Sequence, residues 1–594
     1  MTRGSPDMLR IVQGVIALRQ PVPEGECKAI FADQFGGEPG SVTRELAISA
    51  SSLVVGRTAS LWSQSRPILW DRLRGEYARV DDGAALDALA PAIRAGTAWP
   101  ALDDCAVFQD QHGTLLFASG SGATTFFYSE HRNAVVFANR PQAIRFVRGA
   151  PLDRLGVGEI VRFGANYGQR TILRGLKRIP IGHVLDCAAD KPPRQRSFVD
   201  YSHRPVSHLD EVETREAIGA AIDRNLALIE GPRDLLFSGG VDSALLALRG
   251  VENGTVETGW FYAVGPGDSE LDPARHSAAT IGLHLETIQD RTSPEDIARR
   301  IGAYTLPTLD FSILPTFALG AAVLASRGRT TFVDGTGGDA WFGFGSLAHA
   351  GTWLSLHRLR AFSPLARRAY CAALPWEELP YLRPIKGLAR TPVRPSTALG
   401  HMCANPVYSV LLDLSAEEWL TVEEEALAVM RSLTGGELGD ATSEAIVSDA
   451  CLIAVAQFAA KTSQWTLAGQ AATFYPFLMP NMVAIGRTMP PHLLMRDGQA
   501  KPLLKDMVAA SALGRNFANR RKSGFQPPLQ KLLQDERSRE GLMLDREADE
   551  GPWTQTAREM PQRLLRDKNS LRIGGLYAIW SRLVIEFWLK SLRQ

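Results

Sequence analysis

Two rhythms of apolar and polar positions divide this chain. Up to about residue 187, short β-branched and aromatic runs follow one another between turn residues. A mostly apolar run spans Leu9 to Leu18. Leu115 to Ala118, Thr124 to Tyr128 and Ala134 to Phe137 come in close succession, punctuated by Gly120, Gly122 and a turn at Glu130-His131-Arg132-Asn133. Runs of this kind bounded by turn formers predict strands. The first part therefore reads as an α+β unit with an antiparallel sheet. From Ala188 to His208 the apolar content falls and Pro192, Pro193 and Pro205 appear, which predicts a linker.

From Glu211 the rhythm changes. Glu211 to Ile229 has helical spacing. Asp234 to Phe237 reads as a short strand, Ser238 to Gly240 as a glycine turn, and Ser243 to Arg249 as the start of a helix. Thr258 to Val264 and Thr330 to Val333 are further strands, with helical stretches between. Strands alternating with helices predict a parallel sheet covered by helices on both faces. Residues 350–470 read as mostly helical. Four tryptophans, Trp353, Trp376, Trp419 and Trp465, fall there, as core aromatics or as walls of a wide cleft. The expected organisation is a first unit over 1–187, a linker over 188–210 and a larger α/β unit over 211–594.

The totals fit an ordinary water-soluble chain. A length of 594 residues is too long for one core and suggests two to four domains. Lys plus Arg (65) and Asp plus Glu (64) nearly cancel, so no global field draws the protein to nucleic acid or to an anionic membrane. The six cysteines are scattered without a Cys-x-x-Cys pair, which suggests reduced thiols and neither a zinc site nor a disulfide framework. The start, Met1-Thr2-Arg3-Gly4-Ser5-Pro6-Asp7, lacks the apolar run of a signal peptide. The most apolar stretch, Ile573 to Leu589, carries Arg582 and Glu586, whose charges are costly at a bilayer centre; it reads as a buried helix. A cytoplasmic protein is expected.

One segment carries specific chemistry. Leu235-Leu236-Phe237-Ser238-Gly239-Gly240-Val241-Asp242-Ser243 sits between a strand and a helix. Glycines let successive backbone N–H groups converge on one anion, and the helix N-terminus adds its positive end. A nucleotide pyrophosphate fits there. The hydroxyls of Ser238 and Ser243 can donate to phosphate oxygens, and Asp242 offers a hard oxygen to Mg²⁺. The Gly-Lys-Ser/Thr ending of a Walker loop is absent. A second glycine loop, Val333-Asp334-Gly335-Thr336-Gly337-Gly338-Asp339, again follows a strand, and a basic segment, Arg520-Arg521-Lys522-Ser523-Gly524-Phe525, comes later.

On these residues the chain resembles the ATP pyrophosphatases, whose pyrophosphate motif is Ser-Gly-Gly-x-Asp-Ser. The wider arrangement resembles the asparagine-synthetase group, in which a glutamine-amidotransferase-type (Ntn-amidohydrolase-like) domain precedes an α/β synthetase domain. The resemblance implies ATP and Mg²⁺ as cofactors and an acyl-adenylate intermediate. It implies that Leu236, Ser238, Gly239, Gly240, Asp242, Ser243, Val264 and Gly335 bind ATP, Val264 lining the adenine pocket. Asp242 and Asp339 would share the metal, and Lys522 would face the reacting phosphate and acyl oxygens, stabilising charge that builds there.

The departures narrow the reading. Glutamine-dependent relatives carry Cys after the initiator Met; here Thr2 stands there, followed by a polar tail, so the first domain is expected to be degenerate and to release no ammonia. Asparagine synthetases place a glutamate base in the second glycine loop and β-lactam synthetases usually a tyrosine; here it is Thr336. Thr473-Phe474-Tyr475-Pro476-Phe477-Leu478-Met479 keeps Pro-Phe-Leu but lacks the charged neighbours of the synthetases. With these features the chain resembles the lasso-peptide cyclases, which join a peptide's N-terminal amine to an Asp or Glu side chain. That resemblance implies a precursor (core) peptide as substrate, with a leader peptidase and a leader-binding protein as partners. Another acyl-adenylate ligase of β-lactam-synthetase type and an ammonia-dependent asparagine synthetase are the alternatives. Retention of Asp242, Asp339 and Lys522 together argues against a non-catalytic scaffold.

Overall fold

A computed structural model describes residues 12–17, 24–35, 45–49, 52–56, 68–79, 90–101, 105–110, 112–121, 124–131, 133–188, 191–229, 233–263, 268–289, 294–310, 331–344, 347, 362–373, 385, 388, 411–463, 472–520, 551–559 and 573–593. Thr2, Val264, Lys522, Trp353, Trp376 and Trp465 lie outside the described residues.

The first unit is built from antiparallel sheets. One has six strands, ordered Lys177–Arg178, Phe127–His131, Ala134–Ala138, Val12–Ala17, Ser52–Gly56 and Glu45–Ser49. A four-stranded sheet runs Arg194–Ser197, His183–Ala188, Gly113–Phe117 and Ala106–Asp110. Side chains on a strand alternate between faces, and this alternation builds the layers. Val135 and Phe137 share one buried cluster with Leu116 and Leu185 of the smaller sheet, so the two sheets face each other. Ala134, Val136 and Ala138 point the other way, into a cluster with Phe31, Ile160, Trp580 and Trp588. Leu115 and Phe117 also face outward, into the core continuous with the second unit.

The second unit contains a five-stranded sheet in which every pairing is parallel, as the alternation of strands and helices predicts. Its order is His284–Gln289, Val256–Ala263, Arg233–Leu236, Thr331–Val333 and Ala472–Phe474. Strands buried on both faces read as continuous apolar runs, and Trp260, Phe261, Tyr262 and Ala263 are all buried. Both glycine loops leave the carboxyl ends of adjacent central strands, Arg233–Leu236 and Thr331–Val333. In open parallel sheets that edge is where ligands collect.

The stretch read as a linker is more structured than expected. Arg194–Ser197 is the edge strand of the four-stranded sheet. Beyond it the backbone is fastened to the second unit: Tyr201 N–H donates to Leu433 O (2.7 Å), Arg204 N–H to Arg487 O (2.7 Å) and Val206 N–H to Thr488 O (2.9 Å). Backbone hydrogen bonds hold the segment together with its few apolar side chains, Phe198 and Tyr201, which are buried in the core.

The apolar stretch near the end of the sequence is a helix, Ile573–Arg593, buried as expected. Trp580 and Trp588 are fully covered, and each indole N–H donates to a backbone oxygen, of Leu309 (3.0 Å) and Tyr304 (2.8 Å). The two charges that argued against a membrane span have partners inside: Arg582 donates to Ala557 O and Arg558 O, and Glu586 accepts from Trp553 Nε1. No helix among the described residues is long and apolar enough to cross a membrane.

Candidate active site

The strand Arg233–Leu236 delivers the chain to the first glycine turn, and the helix Val241–Glu252 leaves it. Gly239 has φ 66°, which favours glycine, and a Cβ there would pack tightly, 3.3 Å from Ala274 Cβ. The two serines divide their work differently from the sequence expectation. Ser243 is buried and its Oγ sits 3.1 Å from Ser238 Oγ, 3.1 Å from Gly240 O and 3.3 Å from Ser238 N. It closes the turn from beneath. Ser238 is exposed at the surface of the turn, where a phosphate would lie. Arg520 braces the same turn, donating to Gly239 O (3.1 Å) and to Glu270 Oε2 (2.6 Å).

The second loop lies against Asp242, and this contact explains its glycines. A Cβ on Gly338 would come within 2.4 Å of Asp242 Oδ1, and one on Gly335 within 3.3 Å of Asp242 Cβ. Gly337 has φ 103°, with Leu478 filling the space where a side chain would go. Thr336 does not face the site as a free group: its N–H (2.8 Å) and its hydroxyl (2.9 Å) both donate to Asp334 Oδ1.

Asp242 and Asp339, named from the sequence as metal ligands, come together. What joins them is a residue the sequence reading did not single out. Lys501 Nζ lies 2.5 Å from Asp242 Oδ2 and 2.6 Å from Asp339 Oδ1. The ammonium is largely buried, at 11% side-chain exposure. Burial alone would lower its pKa, but the two carboxylates outweigh burial and hold it well above the usual lysine range. A single cation held by carboxylates from both loops marks a cation position beside the first glycine turn. That donor set suits Mg²⁺, which combines a few carboxylates with phosphate oxygens. Among the described residues no group of three or more acidic, His or Cys side chains is assembled for a metal. Asp242 and Asp339 would therefore hold Mg²⁺ together with the nucleotide, with Lys501 beside it.

Lys501 is placed by strained backbone. The hairpin Met495–Arg496/Gln499–Ala500 turns through Asp497 and Gly498, both at positive φ (51° and 74°), the two-residue geometry that Asp-Gly favours. Lys501 follows at φ 62°, ψ 44°, a left-handed conformation unusual for lysine, directly before Pro502 and the helix Pro502–Ala509. Non-glycine residues held there persist when their surroundings over-determine them, and they cluster at functional sites. The Asp497-Gly498 pair was the sequence signal available for this element.

A buried acid stands nearby. Burial, reinforced by the charge of Asp339 and opposed by Lys501, pushes Asp449 up to about 8. The folded protein thus keeps a proton that the unfolded chain releases near pH ~4. Stability is lost as pH rises from the unfolded value toward the folded one. In metal-free, nucleotide-free protein, Asp449→Asn should raise Tm at pH 8 by a few degrees and change it little at pH 4. Thermal unfolding across that range measures this, and a lower Tm at pH 8 would count against it.

Of the other residues expected in the site, Leu236 ends the strand before the first turn, in register with Trp260. Val264 and Lys522 fall outside the described residues, although the strand Val256–Ala263 ends one position before Val264, and Arg520 precedes Lys522 by two. Among the helical-region tryptophans, the described Trp419 is a core residue.

Comparison with curated proteins finds no match. The asparagine synthase family model matches residues 213–590, a span that contains both glycine loops, Lys501 and Arg520. The chain belongs to the asparagine synthase family, whose chemistry is ATP-dependent amide-bond formation.

Proposed function

We propose that this enzyme closes a macrolactam in a ribosomally made peptide. ATP adenylates the side-chain carboxylate of an Asp or Glu and releases pyrophosphate. The peptide's own N-terminal amine then attacks the acyl-adenylate, forms the isopeptide bond and releases AMP and a proton. The observation that carries this reading is Thr336, whose hydroxyl is committed to Asp334 at a loop position where asparagine synthetases carry a glutamate base. An α-amino group has a pKa of about 7.7–8.0, so roughly a tenth or more is uncharged near neutral pH. Such a nucleophile depends more on positioning than on a strong base.

The protein's groups have distinct tasks in this reading. The backbone N–H groups of the first turn, with Ser238 and the helix start at Val241, bind the phosphates. Ser243, Arg520 and Ala274 keep the turn in shape. Asp242 and Asp339 hold the metal, which when bound offsets charge on the departing pyrophosphate. Lys501 lies beside both and adds its own positive charge to the same oxygens. The first unit acts as a structural partner and supplies no ammonia. A leader peptidase and a leader-binding protein would present the freshly exposed N-terminus.

The test uses purified enzyme with ATP, Mg²⁺ and a leader-free precursor peptide. AMP and pyrophosphate should appear, and the peptide should lose one water in mass. Acetylating its N-terminal amine should stop that loss. ADP as product, or dehydration that survives acetylation, would exclude the mechanism. Formation of asparagine from aspartate and ammonia would assign the enzyme to that reaction instead.

A further inference from the structure

A cavity of about 320 Å³ lies where the two units meet, outside the phosphate and metal site. The first unit contributes Trp70 and Trp99, the connecting segment Val199 and Tyr201, and the second unit Leu478 and Val483. Both tryptophans are at least nine-tenths buried, so their ring faces form fixed walls. That size is at the lower end for small-molecule sites, which are apolar concavities with a few placed polar groups.

Three charged residues line the cavity: Arg72, Asp200 and Arg487. Arg487 is engaged with its surroundings. Nη2 donates to Asp200 Oδ2 (2.6 Å) and Ser202 Oγ (2.9 Å), Nη1 to Asp200 O (3.1 Å) and Nε to Ser202 O (3.1 Å). Burial pushes the Asp200 carboxyl up, but hydrogen bonds from Ser202 and Arg487 prevail and hold it below its ordinary range, so it is ionised at neutral pH. Arg72 differs. It reaches Asp200 only at 3.6 Å, outside hydrogen-bond distance, and half of its side chain is exposed. Two guanidiniums against one carboxylate leave the lining with one net positive charge, and the guanidinium with donors to spare stands at the rim.

We propose that this cavity binds a ligand consisting of one aromatic or branched apolar group and a single carboxylate, the ring or branch between Trp70 and Trp99 and the carboxylate on Arg72. A neutral apolar ligand would leave the charge uncompensated, and a dianion would meet Asp200. Two sources share this chemistry: a free small acid and the C-terminal residue of a peptide. Occupancy reaches the metal loops through side-chain contact. Tyr201 lines the cavity and packs edge-on against Trp341 (5.7 Å), on the helix that carries Asp339, and Leu478 lines it and fills the space at Gly337. The proposal does not depend on the macrolactam reading, because binding is measured without ATP or substrate turnover.

Calorimetric titration of the full chain tests it with three probes: N-acetyl-phenylalanine, its amide, and Gly-Gly-Gly-Phe with a free C-terminus. The free acid should bind, and the amide about tenfold more weakly or not at all, the loss expected when a charge-assisted hydrogen bond is removed. Arg72→Ala should weaken the acid to the level of the amide. Arg72 makes no close side-chain hydrogen bond that the fold would lose, and an unchanged Tm checks this. Ala484→Trp, at an exposed helix position on the cavity wall, should block binding by filling the space. Tighter binding of the tetrapeptide than of the small acid identifies a peptide C-terminus as the natural source, and the reverse a free acid. No binding of either acid, or binding indifferent to amidation and to Arg72→Ala, overturns the proposal.

Discussion

Lys501→Met should reduce ATP-dependent amide formation by at least ~10²–10³-fold, the loss typical when one preorganised charge at a reacting oxyanion is removed. The expectation rests on the ammonium's position 2.5 and 2.6 Å from the carboxylates of Asp242 and Asp339. Methionine has similar length and keeps the packing, so the change isolates the charge. A second effect separates it from a general fold defect. Without the ammonium two carboxylates face one position with no counter-charge, which should cost about 3 kcal/mol in metal-free protein. That is the low end for a broken buried pair, because the Asp339 side chain is more than half exposed and water screens it. Mg²⁺ should therefore raise the Tm of Lys501→Met more than that of the wild type, since it binds the folded state alone. Near-normal turnover, or a Tm indifferent to Mg²⁺, would remove Lys501 from the site.

Asp242→Asn should abolish pyrophosphate release, with a loss on the order of 10³-fold or more, since several kcal/mol of metal-borne charge stabilisation is at stake. Asp339→Asn should act in the same direction. The structure adds a distinction between them. Asp242 is enclosed by the second loop, its carboxylate under the Gly338 backbone and hydrogen-bonded to Lys501. Asp339 is an exposed residue at the start of its helix. Excess Mg²⁺ should restore part of the activity of Asp339→Asn and little of Asp242→Asn. Pyrophosphate release measured against Mg²⁺ concentration tests this, and wild-type-like turnover in either variant would refute the assignment.

What could be read from the sequence was local. The first glycine turn was legible because its function needs a fixed run of residue types between a strand and a helix. The parallel sheet was legible because helical and extended spacings alternate. Asp339 followed from the same logic one strand over. Lys501 was not legible: it stands 259 positions beyond Asp242, and although Asp497-Gly498 signals the hairpin before it, no residue-type pattern advertises a lysine in left-handed backbone. The two serines, expected to act alike, are distinguished by burial, which puts Ser243 beneath the turn and leaves Ser238 on it. The cavity between the units was invisible because Trp70, Trp99 and Arg72 come from strands and turns whose packing partner lies about 400 positions away, at Leu478 to Arg487.

The burial of the helix Ile573–Arg593 against the first unit has a consequence for synthesis. The outward face of the six-stranded sheet, at Val136 and Ala138, shares its core with Trp580 and Trp588. Chain growth is vectorial, at roughly 5–20 residues per second. About 376 residues separate the last strand residue of the early β-layers, Ser197, from Ile573, so an apolar sheet face would wait roughly 20–75 s for its cover to leave the ribosome. The nascent protein would spend that interval with a surface that chaperones recognise, and a ribosome stalled shortly before Ile573 would hold a complete metal site on a body whose first layer is still uncovered.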